Sequence, residues 1–274
     1  MKGDIHCTVA VLTRNSGETL ERALLSVKDF SDILVSDGGS TDNTLEIAAK
    51  FGARVIRQDP RFLSAEGRIT DYAEIRNQTL REAKEEWFFF LDSDEYISAE
   101  LADEIRRISL SEPAGVYTLF RKYTLPDGRV VHCSTTYPNP STRFFARSAV
   151  TGFRKRIHEV IVPRESVTPI RMRGDLYVPL EGDIAFWRTK RDRYIELEVK
   201  RLTGGTRSFW PLFFKVVVRH SAISAHYILR HIRILLFCRG VKMPFPHEIE
   251  RHRYHIRLVQ ALWRARKTCG QVQS

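Results

Sequence analysis

The chain has 274 residues, 43% of them hydrophobic and 28% charged, with a net charge of +11. That is enough for one or two packed domains, and it excludes a mainly disordered chain, a collagen-like repeat and a disulfide miniprotein. The four cysteines, at 7, 133, 238 and 269, form no CxxC pair and are expected to be reduced thiols in a cytosolic setting.

No apolar run reaches about 18 residues, so no spanning helix is expected. Met1-Lys2-Gly3-Asp4 runs straight into a strand pattern, so no signal peptide is expected either. The charge is uneven. Residues 188–274 carry 19 Lys/Arg against 5 Asp/Glu, net +14, while residues 1–187 carry 25 against 28, net −3. The expected division is a catalytic domain over 1–187 and a basic helical region over 188–274. A mildly acidic body suits catalytic carboxylates, and a basic end suits a polyanionic partner such as a membrane surface or nucleic acid.

Strand and helix patterns alternate over the first 110 residues. Cys7 to Leu12 is a β-rich run, and Leu20, Ala23, Leu24 and Val27 recur at helical spacing. Ile33 to Ser36 is a second strand. Ser40 to Asn43 supplies capping side chains for a helix carrying Leu45, Ala48 and Ala49. Gly52 stops that helix and Arg54 to Arg57 resumes as strand. Tyr72, Ile75, Thr79, Ala83 and Trp87 fit a third helix. Phe88 to Leu91 is apolar without alternation, as in a strand covered on both faces. This order predicts an α/β fold with a mostly parallel sheet flanked by helices.

Further strands are expected over Gly115 to Arg121, Arg143 to Arg147 and Ile157 to Val162, the last holding His158 and Glu159, with a turn at Pro126-Asp127-Gly128. Helices with interleaved Arg and His follow over Ile223 to Phe237 and Ile249 to Trp263.

Ligands of parallel sheets bind at the carboxyl ends of the strands. Three polar clusters fall there: Thr13-Arg14-Asn15, Asp37-Gly38-Gly39-Ser40 and Asp92-Ser93-Asp94-Glu95. Asp92 and Asp94 around the small Ser93 can hold Mg²⁺ or Mn²⁺ and a sugar hydroxyl together. The same acids could instead cap a helix starting near Ser98. Asp37 can accept from a nucleobase or ribose, and the glycines after it allow a tight turn beside a ligand. That segment also reads as a strand-to-helix turn capped by Ser40 or Thr41.

Thr13-Arg14-Asn15, then Val35 to Asp42, then Arg76-Asn77, then Trp87 to Glu95 together resemble a family-2 glycosyltransferase of the GT-A, Rossmann-like fold across about residues 5–110. Arg143-Phe144-Phe145 with Arg156-Ile157-His158-Glu159 is similar to the bacterial branch that includes lipopolysaccharide-core glucosyltransferases. The resemblance implies a nucleotide-sugar donor, most simply a UDP-sugar, a divalent metal and inversion at the anomeric carbon. By position it places Thr13 and Asn15 in the nucleotide pocket, Asp37 on the base and Arg76 near the donor. Asp92 then faces ribose or sugar, with Ser93 beside it, and Asp94 ligates the metal. Glu159 is the implied base facing the acceptor, with Glu95 second. From its chemistry His158 could reach metal or diphosphate or could equally be a hydrogen-bonded structural histidine, and Arg154, Lys155 and Arg156 could clamp the diphosphate or form a solvated charged face. Relatives often carry two acids where this chain has Asp37-Gly38, and the Q-x-x-R-W signature of processive synthases is absent.

Phe209, Trp210, Leu212, Phe213 and Phe214, followed by Lys215, Arg219, Arg230, Arg233, Arg239 and Lys242, suit a helix lying on an anionic bilayer. Packing of Ile228, Ile232 and Leu235 onto the body is expected alongside. These features point to a peripheral enzyme on the cytoplasmic membrane face acting on a lipid-linked or oligosaccharide acceptor in cell-envelope synthesis. Two other functions compete. A non-catalytic basic membrane- or nucleic-acid-binding protein explains the +14 region but not acids at strand ends. A nucleotidyltransferase would need a glycine-rich basic loop, and Thr13 to Thr19 has a single glycine.

Overall fold

The computed structural model describes residues 4–164, 167–180, 184–204 and 208–269, with the side chains of 186, 187, 190 and 267–269 outside that description. It falls into two compact units, Met1–Lys122 with Pro138–Pro179, and Tyr123–Tyr137 with Leu180–Ser274. The segment 123–137 groups with the C-terminal helices.

The first unit runs β1 (Ile5–Thr13), α1 (Leu20–Ser26), β2 (Phe30–Asp37), α2 (Thr44–Lys50), β3 (Arg54–Arg57), α3 (Tyr72–Glu82), β4 (Trp87–Asp92), β5 (Tyr96–Ile97) and α4 (Ala99–Ser111). It continues with β6 (Val116–Thr124), β7 (Pro140–Ala146), β8 (Val150–Arg154), β9 (Val160–Pro163) and β10 (Ile170–Pro179). One eight-stranded sheet has the order β3-β2-β1-β4-β7-β6-β10-β5, and β8 and β9 form a separate hairpin. The β3-β2-β1-β4 half is parallel, as the alternating pattern requires, and β7 then joins β4 antiparallel.

The unalternating Phe88–Leu91 run serves two cores. Trp87, Phe89 and Leu91 pack on one face with Val9, Val11 and Leu24. Phe88 and Phe90 pack on the other with Ala10, Phe145 and Phe153. Both faces of β4 are therefore covered, and truncating any of these rings to alanine would cost about 3–5 kcal/mol. Two expectations are corrected here. Trp87 opens β4 rather than closing the third helix, because α3 ends at Glu82 and its C-cap Ala83 is extended. His158 and Glu159 sit in the loop between β8 and β9, not within a strand: Lys155 and His158 have φ of 74° and 55°, which a strand cannot hold.

The second unit holds α5 (Ile184–Thr203), α6 (Phe209–Phe237) and α7 (Phe245–Cys269). Phe209, Trp210 and Phe213 form an aromatic cluster with Trp263 that fixes the start of α6 to α7. Glu250 is buried and binds Arg188 of α5 and Arg253 of its own helix. The 123–137 segment is tied in by Val131, Leu180 and Met243, packed together, and by Glu248, which accepts from Ser134, Thr135 and Arg251. Contrary to the reading of four reduced thiols, Cys133 and Cys238 are paired as a disulfide, Cα atoms 6.5 Å apart. Cys7 is buried and free, and the Cys269 thiol lies outside the described residues. The pairing escapes a reading by spacing because 105 residues separate the two. Ile228, Ile232 and Leu235, expected to pack, are 51%, 47% and 59% exposed.

Candidate active site

The ends of β1, β2 and β4 share one rim. Thr13 pairs in register with Asp37, and Leu12 with Asp92. Asp37 is buried, and its oxygens accept from the Gly39 and Ser40 amides at 2.9 and 3.0 Å, the Ser40 hydroxyl at 2.5 Å and the Thr13 hydroxyl at 3.3 Å. A carboxylate has about four acceptor sites, so these bonds occupy them all. Asp37 thus builds its loop. Gly39, with φ of 85°, makes the turn, and a Cβ on Gly38 would stand 2.9 Å from the Gln58 side-chain oxygen. Gln58 itself is buried and donates to the Ser36 carbonyl at 2.9 Å, bracing the loop from below. Asn15 has φ of 48°, donates its amide to Ser40 and accepts from the Thr41 amide, joining the first two clusters. Ser93 meets Ser16 at 2.9 Å and ties the third cluster to the first.

Beneath this rim lies a network of three arginines and three carboxylates. Arg76, on α3, is 1% exposed; it donates to Asp92 through Nη2 at 2.5 Å and to Glu159 through Nε at 3.4 Å. Its Nη1 is buried with no partner among the described residues. Arg143, on β7, reaches Asp92 at 3.2 Å and Glu95 at 3.3 Å, and Arg121 reaches Glu95 at 2.9 Å. Arg76 and Arg143 each lie 4.6 Å from the centre of the Phe90 ring. The aromatic face adds cation–π attraction and excludes water from both guanidinium groups.

The electrostatics follow from this packing. The protein around the Asp92 carboxyl, which is 41% exposed, pushes it up, but Arg143 and Arg76 outweigh this and hold the group well below the usual aspartate range. Glu95 moves the other way: burial, with Asp92 beside it, raises it against the pull of Arg143 and Arg121. Arg143 is held firmly charged by Glu95 and Asp92 despite its burial.

The sequence-derived candidates therefore separate. Arg76, Asp92, Glu95 and Glu159 come together in one network. Glu95 is 1% exposed, with its oxygens on Arg121, Arg143 and the Asp92 amide, so it faces the interior rather than the rim. Glu159 keeps Oε2 without a hydrogen bond among the described residues. Asp94 is exposed at the rim, next to Ser93. Arg156 is directed to Asp71, the N-cap of α3, and its carbonyl accepts from the Tyr72 amide, so it pins the β8–β9 loop rather than lying in the arginine network. His158 is exposed in that loop. Asn77, next to Arg76 on α3, accepts from and donates to the Phe153 main chain at 2.7 and 3.1 Å, clamping the hairpin that carries Glu159. Arg121, Arg143, Gln58 and Asn77 brace this region, and the sequence assigned none of them a role of its own. Arginine leading an all-aromatic strand segment, Arg143-Phe144-Phe145, is the one local signal of a buried charge needing a carboxylate.

Among the described residues no three His, Cys, Asp or Glu side chains are grouped to hold a metal ion. The donor set still fits a hard cation of the kind bound by one carboxylate plus phosphate oxygens. Asp94 is an exposed acid at the rim, and both Asp92 oxygens are on guanidinium groups at its edge.

A family model described as "Glycosyl transferase family 2" matches residues 8–159, a span that holds every rim and network residue above. An uncharacterized glycosyltransferase of Rickettsia bellii (strain RML369-C) is 33% identical over 167 residues, covering 57% of this chain and 52% of that protein. The SPbeta prophage-derived glycosyltransferase SunS of Bacillus subtilis (strain 168) is 24% identical over 215 residues, covering 76% of this chain and 48% of that protein. The chain thus spans about half the length of these curated relatives. Among solved structures, S. aureus TarS 1-349 in complex with UDP-GlcNAc is 18% identical over 96% of this chain and 80% of that one, with a TM-score of 0.43.

Proposed function

Because the chain belongs to glycosyl transferase family 2, we propose that it moves a sugar from a nucleotide-sugar donor to a hydroxyl of a glycolipid or lipid-linked acceptor, by a metal-dependent, inverting, non-processive reaction. One observation carries the reading: Arg76 joins Asp92, at the end of β4, to Glu159, on a loop 83 residues from Arg76, so that a second acid stands beside the donor rim.

Roles follow from position and chemistry. The loops built by Asn15, Asp37 and Ser40 form the nucleotide side of the rim. Asp37 shapes this loop rather than offering spare acceptor sites, so base recognition falls to the main chain that it orders. Asp92, kept ionised by its two arginines, accepts from a ribose or sugar hydroxyl. Glu159 Oε2 takes the proton of the acceptor hydroxyl as it attacks the anomeric carbon, a contribution of about 10²- to 10⁴-fold. Arg76, held charged beneath the rim, favours through its field the negative charge that builds on the departing diphosphate. Asp94 would hold Mg²⁺ or Mn²⁺, which when bound neutralises diphosphate charge. Glu95 acts through Arg143 and Arg121 as a positioning residue.

The acceptor assignment rests on the second unit. No helix among the described residues is long and apolar enough to cross a membrane. On α6, Val218, Leu229, Leu236 and Phe237 are all more than 60% exposed, and Lys215, Arg219, Arg230 and Arg233 flank them. An apolar helix face bordered by cations suits adsorption to an anionic bilayer. An acceptor of the lipopolysaccharide-core type would be met there, with the protein peripheral on the inner membrane face.

The test is hydrolysis and transfer across a panel of nucleotide sugars with Mn²⁺. The wild type is expected to turn over one donor, and Glu159→Gln to lose about 10²-fold or more in kcat while still binding that donor. Full activity in Glu159→Gln would remove the assigned base.

A further inference from the structure

Within the second unit a cavity of about 800 Å³ lies between the 132–137 segment and α6. Its α6 wall carries a stripe of His226, Arg230, Arg233 and Phe237, spaced four, three and four residues apart, with Ile234 beside it. That is the spacing of one helix face. His132 stands on the opposite wall, and the Cys133–Cys238 disulfide closes one side. The walls are held by more than that bond. The His132 and Cys133 amides donate to the Val241 carbonyl at 2.8 and 3.1 Å, and the Met243 amide donates back to the Cys133 carbonyl at 2.8 Å.

The chemistry of the lining is one-sided. Two guanidinium groups and two imidazoles face the cavity, and none of the described residues lining it is acidic. Arg230 and Arg233 form no ion pair among the described residues, whereas Arg76, Arg121 and Arg143 of the first unit are all paired with carboxylates. Two guanidinium forks a helical turn apart match the non-bridging oxygens of a phosphate. Phe237 at the end of this stripe, and Leu229, Leu235 and Leu236 next to it, are exposed. A free phosphate would leave those side chains in water, but a phosphate carried on a lipid would engage both features at once.

We propose that this cavity is a binding site for a lipid-borne phosphate, with Arg230 and Arg233 on the phosphate oxygens and the apolar side chains of α6 on the acyl region. The site deepens the membrane-docking reading above and rests on it. It converts adsorption to any anionic surface into selection of a lipid whose phosphate is accessible rather than covered by a further headgroup.

The experiment measures binding of the full chain to phosphatidylcholine vesicles doped with phosphatidic acid, or with phosphatidylglycerol at matched surface charge. Each basic side chain near an anionic surface contributes about 1 kcal/mol, or about fivefold. The wild type is expected to prefer phosphatidic acid by at least about fivefold. Arg230→Gln/Arg233→Gln is expected to abolish that preference. A control of equal charge loss on the same helix, Lys215→Gln/Arg219→Gln, is expected to weaken binding to both vesicles and keep the preference. Equal wild-type affinity for the two vesicles, or a preference that survives in Arg230→Gln/Arg233→Gln, overturns the site while leaving general membrane docking intact. Failure to bind either vesicle overturns the docking reading and the site together. Full displacement from phosphatidic acid vesicles by millimolar inorganic phosphate, with vesicle charge unchanged, assigns the cavity to a soluble phosphate and overturns the lipid.

Discussion

Two groups of arginines, one in each unit, are used in opposite ways, although the second unit also holds paired arginines such as Arg188 and Arg253 on Glu250. In the first, Arg76, Arg121 and Arg143 are turned inward and matched to Asp92, Glu95 and Glu159. In the second, Arg230 and Arg233 carry no carboxylate partner among the described residues and border side chains such as Leu236, 68% exposed. Paired, buried cations set geometry, because removing any one leaves a charge stranded in low dielectric. Unpaired cations beside apolar surface leave their charge for something outside the chain. In the function proposed above, the contrast puts chemistry in the first unit and docking in the second, and it can be attacked from either side.

The sharpest blow to the inward network is Arg143→Met. It leaves Asp92 and Glu95 each with one arginine fewer, and a loss of about 3–5 kcal/mol in urea unfolding is expected. A loss below about 1 kcal/mol would mean that the network is solvated like a surface pair. On the outward side, Leu235→Glu/Leu236→Glu is expected to weaken binding to anionic vesicles by about tenfold or more while leaving the unfolding midpoint unchanged, since neither side chain is buried. A falling midpoint with unchanged vesicle binding would make α6 a packing element instead. The smallest effect is a pH dependence. The folded-state Asp92 carboxyl is held below its ordinary range, so its stabilisation is present above the unfolded-state pKa and lost as pH falls through the folded value. The stability gap between wild type and Asp92→Asn is therefore expected to narrow below about pH 4. A gap that widens in acid would contradict the ion-paired state.

Much of the first unit is legible from periodicity. The strand-helix alternation through Leu91, and the placing of Asp37 and Asp92 at one rim, follow from runs such as Phe88–Leu91 that only a doubly covered strand can hide. What was not legible depended on contacts distant in sequence. Arg143 finds Asp92 from 51 residues away, and Asn77 finds Phe153 from 76. Local spacing carries no trace of either. Trp87 was read into a helix because its interval from Ala83 suits both a helix and a chain break, and the extended backbone at Ala83 decides between them. Glu159 was picked out by its neighbours in the motif, but its β-rich surroundings concealed the loop that lets it reach Arg76. In the second unit the helices were legible, whereas the exposure of Ile228, Ile232 and Leu235 was not, since an amphipathic stripe looks the same whether a protein core or a bilayer covers it.

The central claim is that the rim acids serve a single donor site. Donor hydrolysis during a Mn²⁺ titration tests it most directly, comparing wild type with Asp94→Ala, an exposed position whose loss should leave the fold intact. The account predicts turnover that rises with Mn²⁺ in the wild type and disappears with chelator, and no metal response in a folded Asp94→Ala. Equal, metal-responsive turnover in both proteins would contradict it.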